Sequence, residues 1–346
     1  MSLTVPYEIK GWCPGVQRPM LSGDGLLVRV RPWVGAFTLE QAAGLADIAA
    51  TLGNGHIDLT RRANLQIRGL REERSPALRD ALDRLGLLEA EEARNVMVGP
   101  LAGPEVRALA LELGRALPHD LPSKFGCLVD GGGPLSIVGE RADIALCVTT
   151  EGVALRIDGE WLGVTTLDRA VAVALGDKRS LSKMAVTPVP GRRRLGRLDR
   201  FTGVAAPFGR LEATQLRVLV EQCARAGASE IRLSPWRALY VDAVIEDTGL
   251  IVDDNDPLLR IEACPGTPGC SSATVDTRSA ARQVAALGIP GSIHVSGCAK
   301  GCARSAPADL VLVGSEGRYG VVRNGTARDR VLRMVARDEL ATLLDA

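Results

Sequence analysis

Ile57-Asp58-Leu59-Thr60-Arg61-Arg62-Ala63-Asn64-Leu65-Gln66-Ile67 decides the fold, because its pattern returns as Ile231-Arg232-Leu233-Ser234-Pro235-Trp236-Arg237-Ala238-Leu239-Tyr240-Val241. In both stretches apolar residues alternate with polar ones on either side of a short polar turn. That period-2 pattern predicts a β-hairpin or two neighbouring strands. Ahead of each copy lie a Leu-Glu pair (Leu39-Glu40, Leu211-Glu212), a helical pattern and a Gly-containing turn. Leu26-Leu27-Val28-Arg29-Val30-Arg31 adds a strand before the first copy.

A weaker repeat follows each copy. Ala142-Asp143-Ile144-Ala145-Leu146 matches Ala308-Asp309-Leu310-Val311-Leu312, and each runs on to Glu-Gly and another short strand. Both are expected to end in a helix, near 167–175 and 336–344. The chain is therefore read as an α+β duplication: a small unit, a larger α/β lobe, then both again. Two copies do not make a solenoid. They predict a pseudo-twofold arrangement with a ligand cleft where the halves meet. Boundaries are expected in the polar, Gly- or Pro-containing stretches 71–76, 188–200 and 253–257. The run Gly191-Arg192-Arg193-Arg194 reads as a solvated linker, with contact to an anionic ligand as the lesser reading.

The 346 residues suffice for two or three domains, and 46% apolar with 24% charged residues is the composition of a globular protein. Lys plus Arg is 42 against 41 for Asp plus Glu, which lends no support to a nucleic-acid partner, and 3% aromatics argues against base stacking. No apolar run is long enough to span a membrane. The segment 1–14 shows no signal pattern, so a cytoplasmic protein is expected. Eight cysteines in such a chain point to metal or redox chemistry before disulfides.

Four of them are grouped: Cys264-Pro-Gly-Thr-Pro-Gly-Cys270 and Cys298-Ala-Lys-Gly-Cys302. Proline and glycine forbid a helix across the first loop and suit it to wrapping a cluster. The second pair follows an expected strand at 292–296, and its i, i+4 spacing lets both sulfurs share one face of a helical turn. Four thiolates suit a [4Fe-4S] cluster or a structural zinc. The wide, Pro/Gly-rich first loop favours iron–sulfur. Cys147 and Cys223, in apolar patterns, read as core residues.

The cysteine set after a duplicated α+β unit resembles the sulfite and nitrite reductase family. Thr60-Arg61-Arg62-Ala63-Asn64-Leu65-Gln66-Ile67-Arg68-Gly69 is similar to that family's Thr-x-Arg-x-Asn-x-Gln-x-Arg-Gly segment. Arg94-Asn95-Val96 and Leu121-Pro122-Ser123-Lys124-Phe125 resemble its next two segments, in the same order. The resemblance implies ferredoxin-like half-domains at 1–75 and 196–256, and α/β lobes at 76–195 and 257–346, the last carrying a [4Fe-4S] cluster on Cys264, Cys270, Cys298 and Cys302. One departure matters. Where sulfite-reducing members carry a second lysine, this chain has Gly126, which removes a cation and a proton donor from an anion-reducing pocket.

Trp12-Cys13-Pro14-Gly15-Val16, Ser22-Gly23-Asp24-Gly25-Leu26 and the 294–302 segment resemble a branch of the family that acts on precorrin tetrapyrroles in aerobic cobalamin synthesis. That resemblance implies an oxygen-dependent hydroxylation and lactone closure, with the tetrapyrrole as substrate, O2 as co-substrate and an external electron donor. The alternative is a sulfite or nitrite reductase holding sirohaem. No dinucleotide fingerprint is present, since Gly131-Gly132-Gly133 is not G-x-G-x-x-G.

A precorrin carries a rim of carboxylates, and arginine binds these bidentately. The resemblance makes Arg62, Arg94 and Lys124 the candidate catalytic residues. Arg61, Asn64, Gln66 and Arg68 join them as candidate tetrapyrrole ligands, Arg61 and Arg68 with solvated roles as an equal reading. The resemblance extends to a separate mononuclear non-haem iron, with His294 as the candidate ligand. His56 and His119 read as structural, as do Trp236 and Arg237.

Overall fold

In the computed structural model, the structure describes residues 14–88, 95–118, 120–122, 124–177, 180–185, 187–246 and 248–345. Two compact units result. One contains Leu21–Leu26 with Asp253–Ala346, and the other Leu27–Val252 with residues 14–20.

Both hairpins of the large repeat form. Strand His56–Leu59 pairs antiparallel with Leu65–Leu70, setting Ile57 opposite Ile67 and Leu59 opposite Leu65. Glu230–Leu233 pairs with Ala238–Val241 in the same register, Ile231 opposite Val241 and Leu233 opposite Leu239. The turns match too. Thr60 N–H donates to the Asn64 carbonyl as Ser234 N–H does to Ala238, and Ala63 (φ +52°) and Arg237 (φ +58°) both take the left-handed conformation. A left-handed non-glycine residue costs roughly 1–2 kcal/mol. Its recurrence at the same turn position shows that the hairpin geometry imposes it.

The two half-domains complete each other's sheets. The first sheet is ordered Gly25–Val30, Leu65–Leu70, His56–Leu59, Arg210–Glu212, with Met20–Ser22 outside Gly25–Val30. The second runs Gly196–Leu198, Phe201–Ala205, Ala238–Val241, Glu230–Leu233, Ala36–Thr38. Each thus ends in a strand from the other copy. Glu212 faces His56 in one, and Thr38 faces Glu230 in the other. The exchanged strands lead straight into helices Leu39–Thr51 and Ala213–Arg225, which pack together, each with a buried face that includes Leu45 and Ile48 in the first and Leu216 and Leu219 in the second.

Helix Leu39–Thr51 starts with a capping box. Thr38 Oγ1 accepts from Gln41 N–H at 3.1 Å and the Gln41 side chain accepts from Thr38 N–H at 3.1 Å. Thr38→Ala is expected to lower unfolding stability by about 1 kcal/mol, measurable by urea denaturation.

The two lobes repeat one topology. In the first, Val96–Val98, Cys127–Asp130 and Ile144–Thr149 are parallel neighbours, followed antiparallel by Gly152–Ile157 and Glu160–Thr165. In the second, Ile261–Ala263, Ile293–Ser296 and Ala308–Ser315 are parallel, followed antiparallel by Arg318–Gly325 and Arg333–Val335. Helices Pro104–Ala116 and Thr277–Ala286 make the first crossovers, as parallel pairing requires. Leu109, Leu113, Val129, Leu146 and Leu155 fill the first lobe's core.

The terminal helix expected in each lobe forms only in the first, as Ala170–Ala174. The second lobe ends instead in strand Arg333–Val335 and a 3-10 segment, Leu340–Asp345. Glu339 accounts for the break, since its carboxylate accepts Ala336 N–H at 2.7 Å and holds 336–339 as a turn. Among the described residues, no helix is long and apolar enough to cross a membrane.

Candidate functional site

The four grouped cysteines lie in the second lobe. Cys264 follows strand Ile261–Ala263 and Cys298 follows Ile293–Ser296, and these strands are parallel neighbours with Ala263 opposite Val295. Both pairs therefore start from the same edge of one sheet, the carboxyl ends of its strands.

Hydrogen bonds then shape the loops. Cys264 N–H donates to the Val295 carbonyl, and Gly297 N–H donates to Cys264 Sγ at 3.2 Å. The buried Thr277 hydroxyl donates to the Cys264 carbonyl at 2.6 Å, and Ser296 Oγ donates to the Cys298 carbonyl at 2.7 Å. Two glycines are sterically required. A Cβ at Gly297 would stand 2.6 Å from the Ala273 Cβ, and one at Gly266 (φ +65°) would stand 2.5 Å from Thr277 Oγ1. The Cys298–Cys302 segment is a turn with Gly301 at φ +67°, so the helical turn expected there does not form. The segment 22–23 also belongs to this site. Ser22 Oγ donates to the Gly269 carbonyl at 2.8 Å, and a Cβ on Gly23 would meet Pro268 O at 2.6 Å.

The site's electrostatics call for a cation. Burial raises the Cys298 thiol, Lys300 N–H lowers it, and Cys264 and Cys270 raise it further. Cys302 is pushed up to about 11, first by desolvation of its sulfur, with Lys300 opposing and Cys264, Cys298 and Cys270 adding. Neighbouring cysteines thus disfavour the Cys298 and Cys302 thiolates, and a bound polycation would remove that repulsion. Among the described residues, no three His, Cys, Asp or Glu side chains are grouped closely enough for a single metal ion. One tetrahedral ion needs its thiolates within about 4 Å of one another, given Zn–S bonds of about 2.3 Å. The two cysteine pairs leave one sheet edge and the Gly297 N–H is aimed at Cys264 Sγ, an arrangement of four thiols and a sulfur-directed donor that suits iron–sulfur ligation.

His294, the candidate ligand of a mononuclear iron, lies inside the sheet of the second lobe. His294 is fully buried in the middle of strand Ile293–Ser296, flanked by strands on both sides, and no three-ligand group surrounds it among the described residues.

The second group of candidate residues belongs to the other unit, on the turn of the first hairpin. Arg62 Nη2 donates to the Lys124 carbonyl at 2.6 Å. Asn95 Nδ2 donates to the Arg62 carbonyl at 3.3 Å, and Asn64 Nδ2 donates to Asn95 Oδ1 at 2.7 Å. Gly126 N–H donates to Asp143 at 2.7 Å, which fixes the 124–126 segment, and a Cβ at Gly126 would lie 3.6 Å from Arg62 Nη1. Arg62, Asn64 and the Lys124 segment thus converge, with the Lys124 and Arg61 side chains exposed and Gln66 half-buried. Asn95 and Asp143 are positioning residues that the sequence reading missed. Arg94 and His119 lie outside the described residues.

Arg68 is placed differently from its expected solvated or ligand-facing position. Its side chain is 2% exposed and lies 3.7 Å from Asp58. Asp58 also receives Arg210 Nε at 2.8 Å and Nη2 at 3.1 Å from the exchanged strand. The expected polar face of this sheet is covered, and an internal ion network fills it. A signal existed in the sequence, since Asp58 stands between two core residues, Ile57 and Leu59. His56 is structural as expected, with Nδ1 3.0 Å from Glu212 on the exchanged strand. Trp236 is structural too, its Nε1 donating to Glu140 at 2.8 Å. Cys147 and Cys223 are core residues as expected, and so is Cys127; burial pushes all three thiols up to about 12. Cys13 lies outside the described residues.

Residues 18–85 match the nitrite/sulfite reductase ferredoxin-like half-domain model. The chain is 33% identical to a precorrin-3B synthase from Sinorhizobium sp., over 94% of this chain and 85% of that protein. It is 24% identical to a ferredoxin–nitrite reductase of Synechococcus elongatus, over 89% of this chain and 79% of that one. The solved Mycobacterium tuberculosis NirA protein superposes with a TM-score of 0.69 at 20% identity, covering 92% of this chain and 79% of the other, and so shares the fold.

Proposed function

The chain belongs to the precorrin-3B synthase family of enzymes, and from that premise we propose that it converts precorrin-3A to precorrin-3B by oxygen-dependent hydroxylation at C20 and closure of a γ-lactone from the ring-A acetate. The observation that carries this reading is the family match along nearly the whole chain. The joined Arg62–Asn64–Asn95–Lys124 group supports it. Cys264, Cys270, Cys298 and Cys302 would hold a [4Fe-4S] cluster, supported by the sulfur-directed N–H of Gly297 and the mutual repulsion of the thiolates. When bound, that cluster supplies one-electron transfer.

The chain's own residues bind and orient. Arg62 and Lys124, with Arg94, would receive the macrocycle's carboxylates. Arg62 is held for this by its bond to the Lys124 carbonyl and by Asn95 on its own carbonyl. Holding the ring-A acetate beside C1 makes lactone closure an intramolecular reaction, which lowers its entropic barrier. One atom of O2 enters at C20 and the other leaves as water, with two electrons from an external donor.

Incubating the reduced enzyme with precorrin-3A and 18O2 tests the reaction. One labelled oxygen in a lactone product is expected. Sharp sirohaem absorption in the purified protein, with sulfite or nitrite turnover and no labelled lactone, would overturn it. For Arg62→Ala, loss of one charge-assisted bond of about 1.5–3 kcal/mol predicts tetrapyrrole binding weaker by roughly 10- to 100-fold. Iron content should not change. Titration of the bound macrocycle's absorption checks this, and unaltered affinity removes Arg62 from the site.

A further inference from the structure

We propose that the first lobe carries a second ligand site, an open cavity of about 850 Å³ that takes a small organic polycarboxylate. Its place follows from the topology. It is lined by residues 131–134 after strand Cys127–Asp130 and by residues 147–150 at the end of Ile144–Thr149. These strands are parallel neighbours, so the cavity lies at their carboxyl ends, where open α/β sheets bind ligands. The second lobe carries its four cysteines on that same edge of its own sheet. The duplication has therefore left one edge holding thiols and the other an open cavity.

The floor of the cavity is backbone. Gly132 (φ +76°) and Gly133 (φ +85°) have nothing within 4 Å of a built Cβ, so a side chain at either would extend into open space. The buried Asp130 carboxylate holds this loop from beneath, accepting Gly132 N–H at 2.6 Å and Ile137 N–H at 2.9 Å. One wall is the 188–194 segment, whose basic run 191–194 reads in the sequence as a solvated linker with anionic-ligand contact as the lesser reading. It is docked on the lobe. Gly191 N–H donates to the Ser136 carbonyl at 2.8 Å and Arg192 N–H to the Pro134 carbonyl at 3.2 Å. A Cβ at Gly191 would come within 2.4 Å of Ser136 N, so the close approach needs glycine.

The docking places Arg192 and Arg194 in the lining, which among the described residues contains no acidic one. A lining with two cations and no carboxylate is notable in a chain whose charges nearly balance. Val148 and Val189 add apolar wall, which suits a carbon framework bearing carboxylates better than a bare inorganic anion.

Calorimetric titration of the cofactor-loaded, full-length protein with citrate tests the site, with inorganic phosphate as the second arm. Saturable citrate binding is expected, weakened at least tenfold in R192Q/R194Q and retained in R62A. Four results overturn the proposal: no saturable citrate binding, unchanged binding in R192Q/R194Q, loss of binding in R62A, or phosphate binding as tight as citrate. If the double variant does not fold, trypsin cleavage of the wild-type chain at 192–194 decides. Citrate should slow that cleavage severalfold, and equal rates with and without citrate reject the site.

Discussion

Cys270→Ser is expected to lose the broad visible iron–sulfur absorption and the precorrin-converting activity together. Serine presents a hard, protonated hydroxyl where a soft thiolate is required. Cys270 is the informative choice among the four. Cys264 has a second task, because its sulfur accepts the Gly297 N–H, whereas Cys270 ends a loop held independently through the Gly269 carbonyl by Ser22. Far-ultraviolet circular dichroism should therefore stay as in the parent while iron and sulfide per chain fall to background. A variant that keeps full absorption and turnover would show that Cys270 is not a ligand, and the four-thiolate centre would have to be abandoned.

Asp58→Ala is expected to cost about 3–5 kcal/mol of unfolding free energy, the cost of removing one partner from a buried ion network. The carboxylate holds Arg210 through two hydrogen bonds and lies 3.7 Å from the 2%-exposed Arg68. Without it, the buried Arg68 and the half-buried Arg210 both lose a counter-charge. Asp58→Asn should fall between the two, since an amide still accepts one hydrogen bond but carries no charge. The loss also reaches the site. Strand His56–Leu59 leads directly into the turn that presents Arg62, so loosening the exchanged strand should weaken tetrapyrrole binding as well. Denaturant titration measures the first effect and absorption titration the second. A destabilisation under about 1 kcal/mol would mean that the network contributes little and that apolar packing alone holds Arg210–Glu212 in place.

The covalent order of residues was enough for much of this. Alternation at Ile57, Leu59, Leu65 and Ile67, and again at Ile231, Leu233, Leu239 and Val241, located both hairpins, because side chains alternate between sheet faces with a period of two. The four-cysteine spacing located the candidate metal centre, because loop lengths and Pro/Gly content are local properties. The resemblance of the 60–69 and 121–125 segments located Arg62 and Lys124. What lay beyond the sequence has one physical cause: it depends on pairing between residues far apart in the chain. Strands Ala36–Thr38 and Arg210–Glu212 carry no mark that each joins the other copy's sheet, since backbone hydrogen bonds are blind to side-chain identity. The partners of Asp58, the clamp of Asn95 on Arg62 and the docking of Gly191 onto Ser136 arise only once those long-range pairings close. The sequence by itself determined which segments pair locally and which cysteine-bearing loops leave one end of a lobe. The tertiary structure decided which polar side chains are sealed in ion networks and which line a cavity, because burial depends on everything packed around a residue and not on its neighbours in the chain.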